Sequence, residues 1–334
     1  MTIFNHHKKL FGASLMLFIA LTLIVAIAPA LKNQNSNQPL PNAIPLTDDA
    51  LAGKLVFISE GCVACHTQQV RNIDMDKLWG DRSGIAADYA GITRTDLWRN
   101  TATLMGTERT GPDLTNIGKR QSSEAWHLLH LFQPRLVIDK SIMPAYPWLF
   151  KIKKELDPGD IEIKVPEKYN FNIKGKIVAT TKALQLVSYL KSLKQTDLPD
   201  GYTAPKILYT RQTNSTNNSG SIDLPDGKLL YSNNCQSCHQ ENGEGLSGAF
   251  PPLKGSKIVL GDNLEAYVSI IMYGYDANTN YGVMPAVGVN NNLSASDIAA
   301  IINYERSNWG NKAKPVSLEE VQKIMEFLNA TVNK

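Results

Sequence analysis

Cys62-Val63-Ala64-Cys65-His66 places two thiols and an imidazole within one turn of chain, the spacing that covalent haem attachment requires. Thioether bonds from Cys62 and Cys65 would fix a porphyrin to that turn and leave His66 under the iron as its proximal ligand. The pattern recurs as Cys235-Gln236-Ser237-Cys238-His239. A zinc knuckle or a thioredoxin-like redox pair can use similar spacing. A structural zinc takes four N or S ligands, however, and the two motifs consume all four cysteines of the chain. The expected cofactors are two covalently attached haem c groups.

The surroundings of the two motifs also repeat. Gly53-Lys54-Leu55 and Phe57 precede the first as Gly227-Lys228-Leu229 and Tyr231 precede the second. Upstream of the first, Thr47 can cap a helix with Asp48 and Asp49 in its first turn, and Leu51, Leu55, Val56 and Ile58 form its apolar face. Downstream, Gly111-Pro112-Asp113-Leu114 corresponds to Phe250-Pro251-Pro252-Leu253, and Ile142-Met143-Pro144-Ala145 to Val283-Met284-Pro285-Ala286. Each copy closes in a predicted helix, 181–194 and 295–306, the second opened by Ser294 and Asp297 in capping-box style; Leu186-Val187-Ser188-Tyr189 pairs with Ile301-Ile302-Asn303-Tyr304. Two copies of one domain are therefore expected.

This order of landmarks resembles the class I cytochrome c fold. The resemblance implies that the terminal helices of each copy pack together, that the proline carbonyl orients the proximal His, and that a Met sulfur is the sixth ligand. Met143 and Met284 are the candidates, because they share a Met-Pro-Ala setting 31 and 33 residues past the matched prolines. A thioether is a soft, neutral ligand that raises the haem potential and blocks substrate binding. Met75, Met105 and Met272 are rivals, and methionine is otherwise a core filler.

The chain opens with His6, His7, Lys8 and Lys9 and then runs uncharged from Leu10 to Leu31. That is long enough to cross a bilayer once. It exceeds the apolar core of about 7–15 residues in a cleaved signal peptide, although Ala28-Pro29-Ala30 resembles a cleavage site. The positive flank places the N-terminus in the cytoplasm and the rest outside. The expected plan is a cytoplasmic N-terminus 1–9, a transmembrane anchor 10–31, a linker 32–46, a first domain 47–200, a linker 201–222, a second domain 223–310 and a C-terminal amphipathic helix 311–334. Asn, Ser and Thr dominate 211–222, so the second domain is expected to hang without a fixed pose. In the tail, Leu318, Val321, Ile324 and Leu328 share a face opened by Ser317 and Glu320, suited to packing on the second domain or, as the second reading, to binding a partner. The fold class is mainly α: an N-terminal transmembrane helix followed by two class I cytochrome c domains, the first with insertions. A net charge of +3, before four haem propionates are counted, excludes a nucleic-acid surface.

The insertions belong to the first copy. His66 lies 46 residues before Pro112, whereas His239 lies 12 before Pro251. The extra stretch contains Leu78-Trp79-Gly80-Asp81-Arg82-Ser83, Ala87-Asp88-Tyr89 and Asp96-Leu97-Trp98, a mixture that either caps a haem edge or forms a docking surface. A second insertion, 151–180, alternates Ile161, Ile163 and Val165 before Lys174-Gly175-Lys176-Ile177-Val178 and predicts a β-hairpin. His127 and His130 share a helix face; they either play a plain structural role or, with Arg109 and Arg135, hydrogen-bond haem propionates or a partner subunit, and a bis-His haem or metal site lacks an evident third ligand nearby.

Glu60-Gly61-Cys62 through Thr67-Gln68-Gln69-Val70-Arg71, then Arg109-Thr110-Gly111-Pro112-Asp113-Leu114, Trp126-His127-Leu128-Leu129-His130-Leu131, Pro134-Arg135 and Ser141-Ile142-Met143-Pro144-Ala145-Tyr146-Pro147-Trp148-Leu149 resemble the membrane-anchored mono-haem subunit of cbb3-type cytochrome c oxidases. The resemblance covers the anchor and roughly 47–195. Residues 223–310 resemble only a generic periplasmic cytochrome c domain, and that family's subunit usually stops after its first haem domain. What the resemblance implies is a single-pass inner-membrane protein with haem domains facing the periplasm. It would pass electrons to a haem–copper catalytic subunit that reduces oxygen to water. Its partners would be that subunit, the other oxidase subunits, and cytochrome c or another electron donor; it would have no active site of its own. By the same resemblance Cys62, Cys65, His66 and Met143 hold the first haem. The other readings are the cytochrome subunit of a periplasmic dehydrogenase and a di-haem peroxidase, the latter needing one iron with a displaceable sixth position.

Overall fold

The computed structural model describes residues 5–36, 38–90, 103–165, 173–204, 224–276 and 281–332. Asp96-Leu97-Trp98 and the 211–222 linker lie outside the described residues.

A helix spanning His7–Ser36 (α1) contains the uncharged run, and none of its most apolar window is buried against the rest of the chain. Among the described residues it is the one helix long and apolar enough to cross a membrane. The helix starts earlier and ends later than the 10–31 anchor, so the first residues of the expected 32–46 linker are helical. Its turn Thr22–Ile27 is π-helical.

The first haem-motif unit is built on two crossed helices, α2 (Asp48–Ser59) and α3 (Thr181–Ser192). Thr47 caps α2 by accepting from Ala50 N at 3.2 Å, and Thr180 caps α3. Where they cross, Gly53 faces the Gln185 carbonyl and Tyr189 Cβ so closely that no β-carbon would fit. In the second unit, α4 (Gly227–Asn234) crosses α5 (Ala295–Ser307), and Gly227 meets Ala300 and Tyr304 in the same way. The repeated glycine is thus a contact requirement. The matched aromatics follow suit: Phe57 meets Tyr189 edge-on at 5.5 Å, and Tyr231 lies 5.3 Å from Tyr304. Helices dominate the fold, and sequence and structure agree on its mainly α class.

The 151–180 insertion corrects one expectation. It belongs to a three-stranded antiparallel sheet with order β1-β3-β2, from Phe150–Lys153 (β1), Glu162–Ile163 (β2) and Lys176–Ala179 (β3). β3 is central, pairing Phe150 with Ala179 and Glu162 with Val178. The strand missing from the hairpin reading is Phe150-Lys151-Ile152-Lys153, whose alternation is legible but follows the Met-Pro segment without a break. Phe150, Ile163 and Ile177 seat the sheet on the first core. A long helix, Leu318–Val332 (α6), closes the chain, and its Val321 is buried in the second core beside Ile324 and Leu328, as the tail's pattern predicts. Ser317 and Glu320 form the expected box: Ser317 N donates to Glu320 Oε2 at 2.7 Å, and Glu320 N to Ser317 Oγ at 3.2 Å.

A second correction concerns how the units meet. The second unit is docked on the first through the helix Glu124–Phe132 and the turn before it. Leu246, Ala249 and Phe250 are part of the first unit's apolar core. Trp126 Nε1 donates to Ser237 O inside the second haem motif at 3.1 Å, Gln240 Nε2 donates to Val137 O at 3.3 Å, and Asn292 Nδ2 donates to Asp81 Oδ1 at 3.0 Å. A pose set by apolar burial and these hydrogen bonds replaces the freely hanging domain expected from the linker's composition.

Candidate haem sites

Each Cys-X-X-Cys-His motif follows directly on its N-terminal helix. Gly61, in the left-handed region (φ 74°), turns the chain after α2 into a short 3₁₀ turn, Cys62–Ala64. In the second copy, Gln236–His239 is a single helical turn after α4. Cys62 is buried, Cys65 exposed, and Cys235 and Cys238 half-buried. Burial pushes the Cys62 thiol up to about 12 and that of Cys238 up to about 11. Among the described residues no three His, Cys, Asp or Glu side chains gather as a metal-ligand cluster, which leaves the zinc-knuckle reading without a ligand set.

The histidines carry the decisive geometry. His66 Nδ1 lies 2.7 Å from Pro112 O, and His239 Nδ1 lies 2.9 Å from Pro251 O. A carbonyl can only accept, so Nδ1 must hold the proton, which leaves the Nε2 lone pair of each ring free for a metal. Burial holds both imidazoles below their ordinary range, only partly offset by the proline carbonyls, and so favours the neutral form that can ligate. The same bond spans 46 residues in one copy and 12 in the other, so the first insertion leaves the His–Pro relation intact.

Cys235, Cys238, His239, Pro251 and Met284 line one cavity of about 660 Å³, whose other walls include Tyr267, Ile271 and Val287. That volume suits a bound cofactor, and the two thiols, the imidazole and the thioether that a covalent haem would use all face it. Met284 is held by a two-bond backbone bridge with Tyr275, at 3.0 and 2.9 Å. Its rival Met272 packs in the second core. In the first unit Met143 packs on the apolar cluster that contains Cys62 and Tyr146, whereas Met75 is 74% exposed. Trp148 Nε1 donates to Glu60 Oε2 at 2.8 Å and ties the Met-Pro segment to the motif's helix.

A buried ion network, which the motif search did not foresee, fixes the first His–Pro pair. Asp76, from the insertion, is fully buried. Burial alone would raise its carboxyl, but hydrogen bonds from Arg109 and Arg71 hold it well below the usual carboxylate range. Arg109 also donates to Thr67 Oγ1 at 2.7 Å and Gln69 O at 2.6 Å, and it pairs with Asp113 at 3.4 Å. The network clasps residues 67–71, just after the motif, to Asp113, next to Pro112.

Arg109 is therefore engaged within the protein and is not a free propionate partner. Arg135 donates to Gln133 Oε1 at 3.3 Å on the surface. His127 and His130 are held within the fold: His127 Nε2 bonds to Gln121 O at 2.8 Å, and His130 stacks on Trp126 at 4.6 Å. Burial lowers His127 to about 4 and His130 to about 3, so both are neutral near pH 7 and offer no cation to a propionate.

Glu305 lines the second cavity and accepts the Tyr267 hydroxyl. Burial pushes its carboxyl from 4.5 up to about 7, against the lowering effect of that hydrogen bond. A raised folded-state value means the stabilisation is complete below about pH 4.5 and lost as pH rises through about 7, a change on the order of 3 kcal/mol. Glu305→Gln should flatten the pH dependence of unfolding free energy across that window. An unchanged slope would show that Glu305 is not the group responsible.

A scan against protein-family models matches residues 2–201 to the cytochrome c oxidase mono-haem subunit/FixO family and residues 225–309 to cytochrome c. The chain is 32% identical over 145 residues to the cytochrome c subunit of a quinone alcohol dehydrogenase from Gluconacetobacter polyoxogenes, covering 42% of this chain and 30% of that one. It is 34% identical over 110 residues to cytochrome c-552 of Thermus thermophilus, covering 30% and 83%. It is 33% identical over 84 residues to the cbb3-type oxidase subunit FixP of Bradyrhizobium diazoefficiens, covering 24% and 29%. The matched stretch thus spans under a third of the dehydrogenase subunit's length. With the family match running from the N-terminal helix through the whole first unit, this chain is an electron-transfer cytochrome that belongs to the cytochrome c oxidase mono-haem subunit/FixO family and carries a further cytochrome c domain at its C-terminal end.

Proposed function

We propose that this chain is a di-haem electron-transfer subunit of a cbb3-type haem–copper oxidase. In this reading one haem c is attached at Cys62 and Cys65 with His66 and Met143 on the iron, and the other at Cys235 and Cys238 with His239 and Met284. The observation that carries it is the His–Pro pair, present twice beside a Cys pair, within a chain whose first 201 residues follow the oxidase family. Bound haem supplies one-electron exchange; the chain orients the imidazoles, keeps them neutral and encloses the second site in apolar side chains. The helix at 7–36 anchors the protein once in the inner membrane, and both haem units lie on the periplasmic side, linked by 201–222. Membrane fractions should retain the chain after high-salt and alkaline washing; a mature N-terminus at Leu31 would instead mark a cleaved signal.

Electrons run from donor to second haem, to first haem, to the catalytic subunit. Deleting residues 211–334 should slow turnover with the natural donor while leaving oxidation of an artificial reductant delivered at the first haem. Unchanged turnover with the natural donor would overturn that order. The dehydrogenase reading is favoured by the similarity to alcohol dehydrogenase cytochrome subunits. Purifying the native membrane complex separates the two: a haem–copper subunit should accompany the chain, and a quinoprotein dehydrogenase in its place would reverse the assignment.

A further inference from the structure

The second cavity is not walled by the second domain alone. Arg120 and Gln121, on the turn that leads into the helix Glu124–Phe132 of the first unit, are also part of its lining. Both are held from behind. Arg120 Nη2 donates to Asp113 O at 2.6 Å, and its guanidinium lies over the Trp79 ring at 5.1 Å. Gln121 is 6% exposed, its N donates to Ile117 O at 2.7 Å, and its O is fixed by His127. Arg120 Nε and Gln121 Oε1 are each buried with no hydrogen-bond partner among the described residues. Gln121 Nε2 sits 3.7 Å from Cys238 Sγ, and Trp126 holds the neighbouring Ser237 carbonyl. Buried polar atoms are ordinarily satisfied, and two adjacent orphans at one cavity wall mark the place of a missing polar or charged group.

We propose that the first domain completes the second haem site: Arg120 and Gln121 cover the haem edge attached through Cys238, with the Arg120 cation setting that haem's potential. This rests on the reading of the second motif as a haem site. A cation in a water-poor wall favours the ferrous form, which carries one positive charge fewer on iron than the ferric form has, because the repulsion it suffers is smaller. It thus raises the potential of the nearer haem. The cover also makes this edge the route from second haem to first, since it is already occupied by the first domain.

The test uses the full-length, haem-loaded chain. The midpoint potential of each haem is followed by redox titration, and the haems are assigned through the Met143 and Met284 variants. Arg120→Gln should lower the potential of the second haem more than that of the first, Arg120→Lys should restore most of it, and Gln121→Glu should lower it again. Because the wall is buried, the Arg120→Gln shift should persist at high salt. A second-haem potential unmoved by Arg120→Gln, or by Gln121→Glu should the first variant not fold, would overturn the proposal. So would a shift confined to the first haem. Haem content is measured alongside: one haem per chain sinks the two-haem reading itself, whereas two haems with an insensitive second potential sink only this inference.

Discussion

Met143→Ala and Met284→Ala should each remove about half of the weak sulfur-to-iron band at the red end of the ferric spectrum. The expectation rests on two matching segments held by different means. Met284 faces the same cavity as His239 and is locked by its backbone bridge to Tyr275. Met143 N donates to Ser141 Oγ at 3.3 Å, and Tyr146 N donates to Leu131 O at 2.9 Å, so the loop carrying Met143 is tied to the body on the side of Cys62. Alanine removes the only soft ligand at that position and leaves a methyl that cannot reach a metal. The affected haem should also fall in potential, since the neutral thioether favours the ferrous state. A band that persists undiminished in either variant would exclude that Met as the ligand.

Arg109→Met should cost about 1–3 kcal/mol of unfolding free energy, because it removes one of the two cations on buried Asp76, leaving Arg71, and weakens the hold on Asp113. Replacing Asp76 by Asn at the same time should recover part of the loss, as the buried carboxylate then held by Arg71 alone goes with it. The consequence reaches the first haem site: Asp113 follows Pro112, whose carbonyl fixes His66, so the potential of the first haem should shift while that of the second stays in place. Chemical unfolding of the single and double variants measures the first effect. A loss below about 1 kcal/mol would mean that Arg71 and its backbone N–H hold Asp76 without Arg109.

Much of this molecule is legible in its sequence. The Cys-X-X-Cys-His spacing, the caps at Thr47, Ser294 and Ser317, the paired Gly53 and Gly227, and the prolines at 112 and 251 are local or repeated patterns. Each expresses chemistry that acts over a few residues, or that a second copy makes visible by repetition. The glycines read as a repeat in sequence and became a helix crossing in the fold, because only a residue without Cβ lets Gln185 and Ala300 come so near.

What the sequence determined by itself was therefore the cofactor chemistry, the helix pair of each domain, the anchor-like N-terminal run and the packed tail. Tertiary structure alone decided the rest. Arg109 reads as a free cation until Asp76 and Asp113 arrive from 33 and 4 residues away to claim it. His127 and His130 read as polar until burial makes them neutral. Trp126, Gln121 and Phe250 look like ordinary core or surface residues, and nothing in their spacing announces that they meet across two domains. The reason is physical: an interface between domains is made of apolar burial and single hydrogen bonds that have no period and no fixed separation along the chain, so only the folded arrangement brings its parts together.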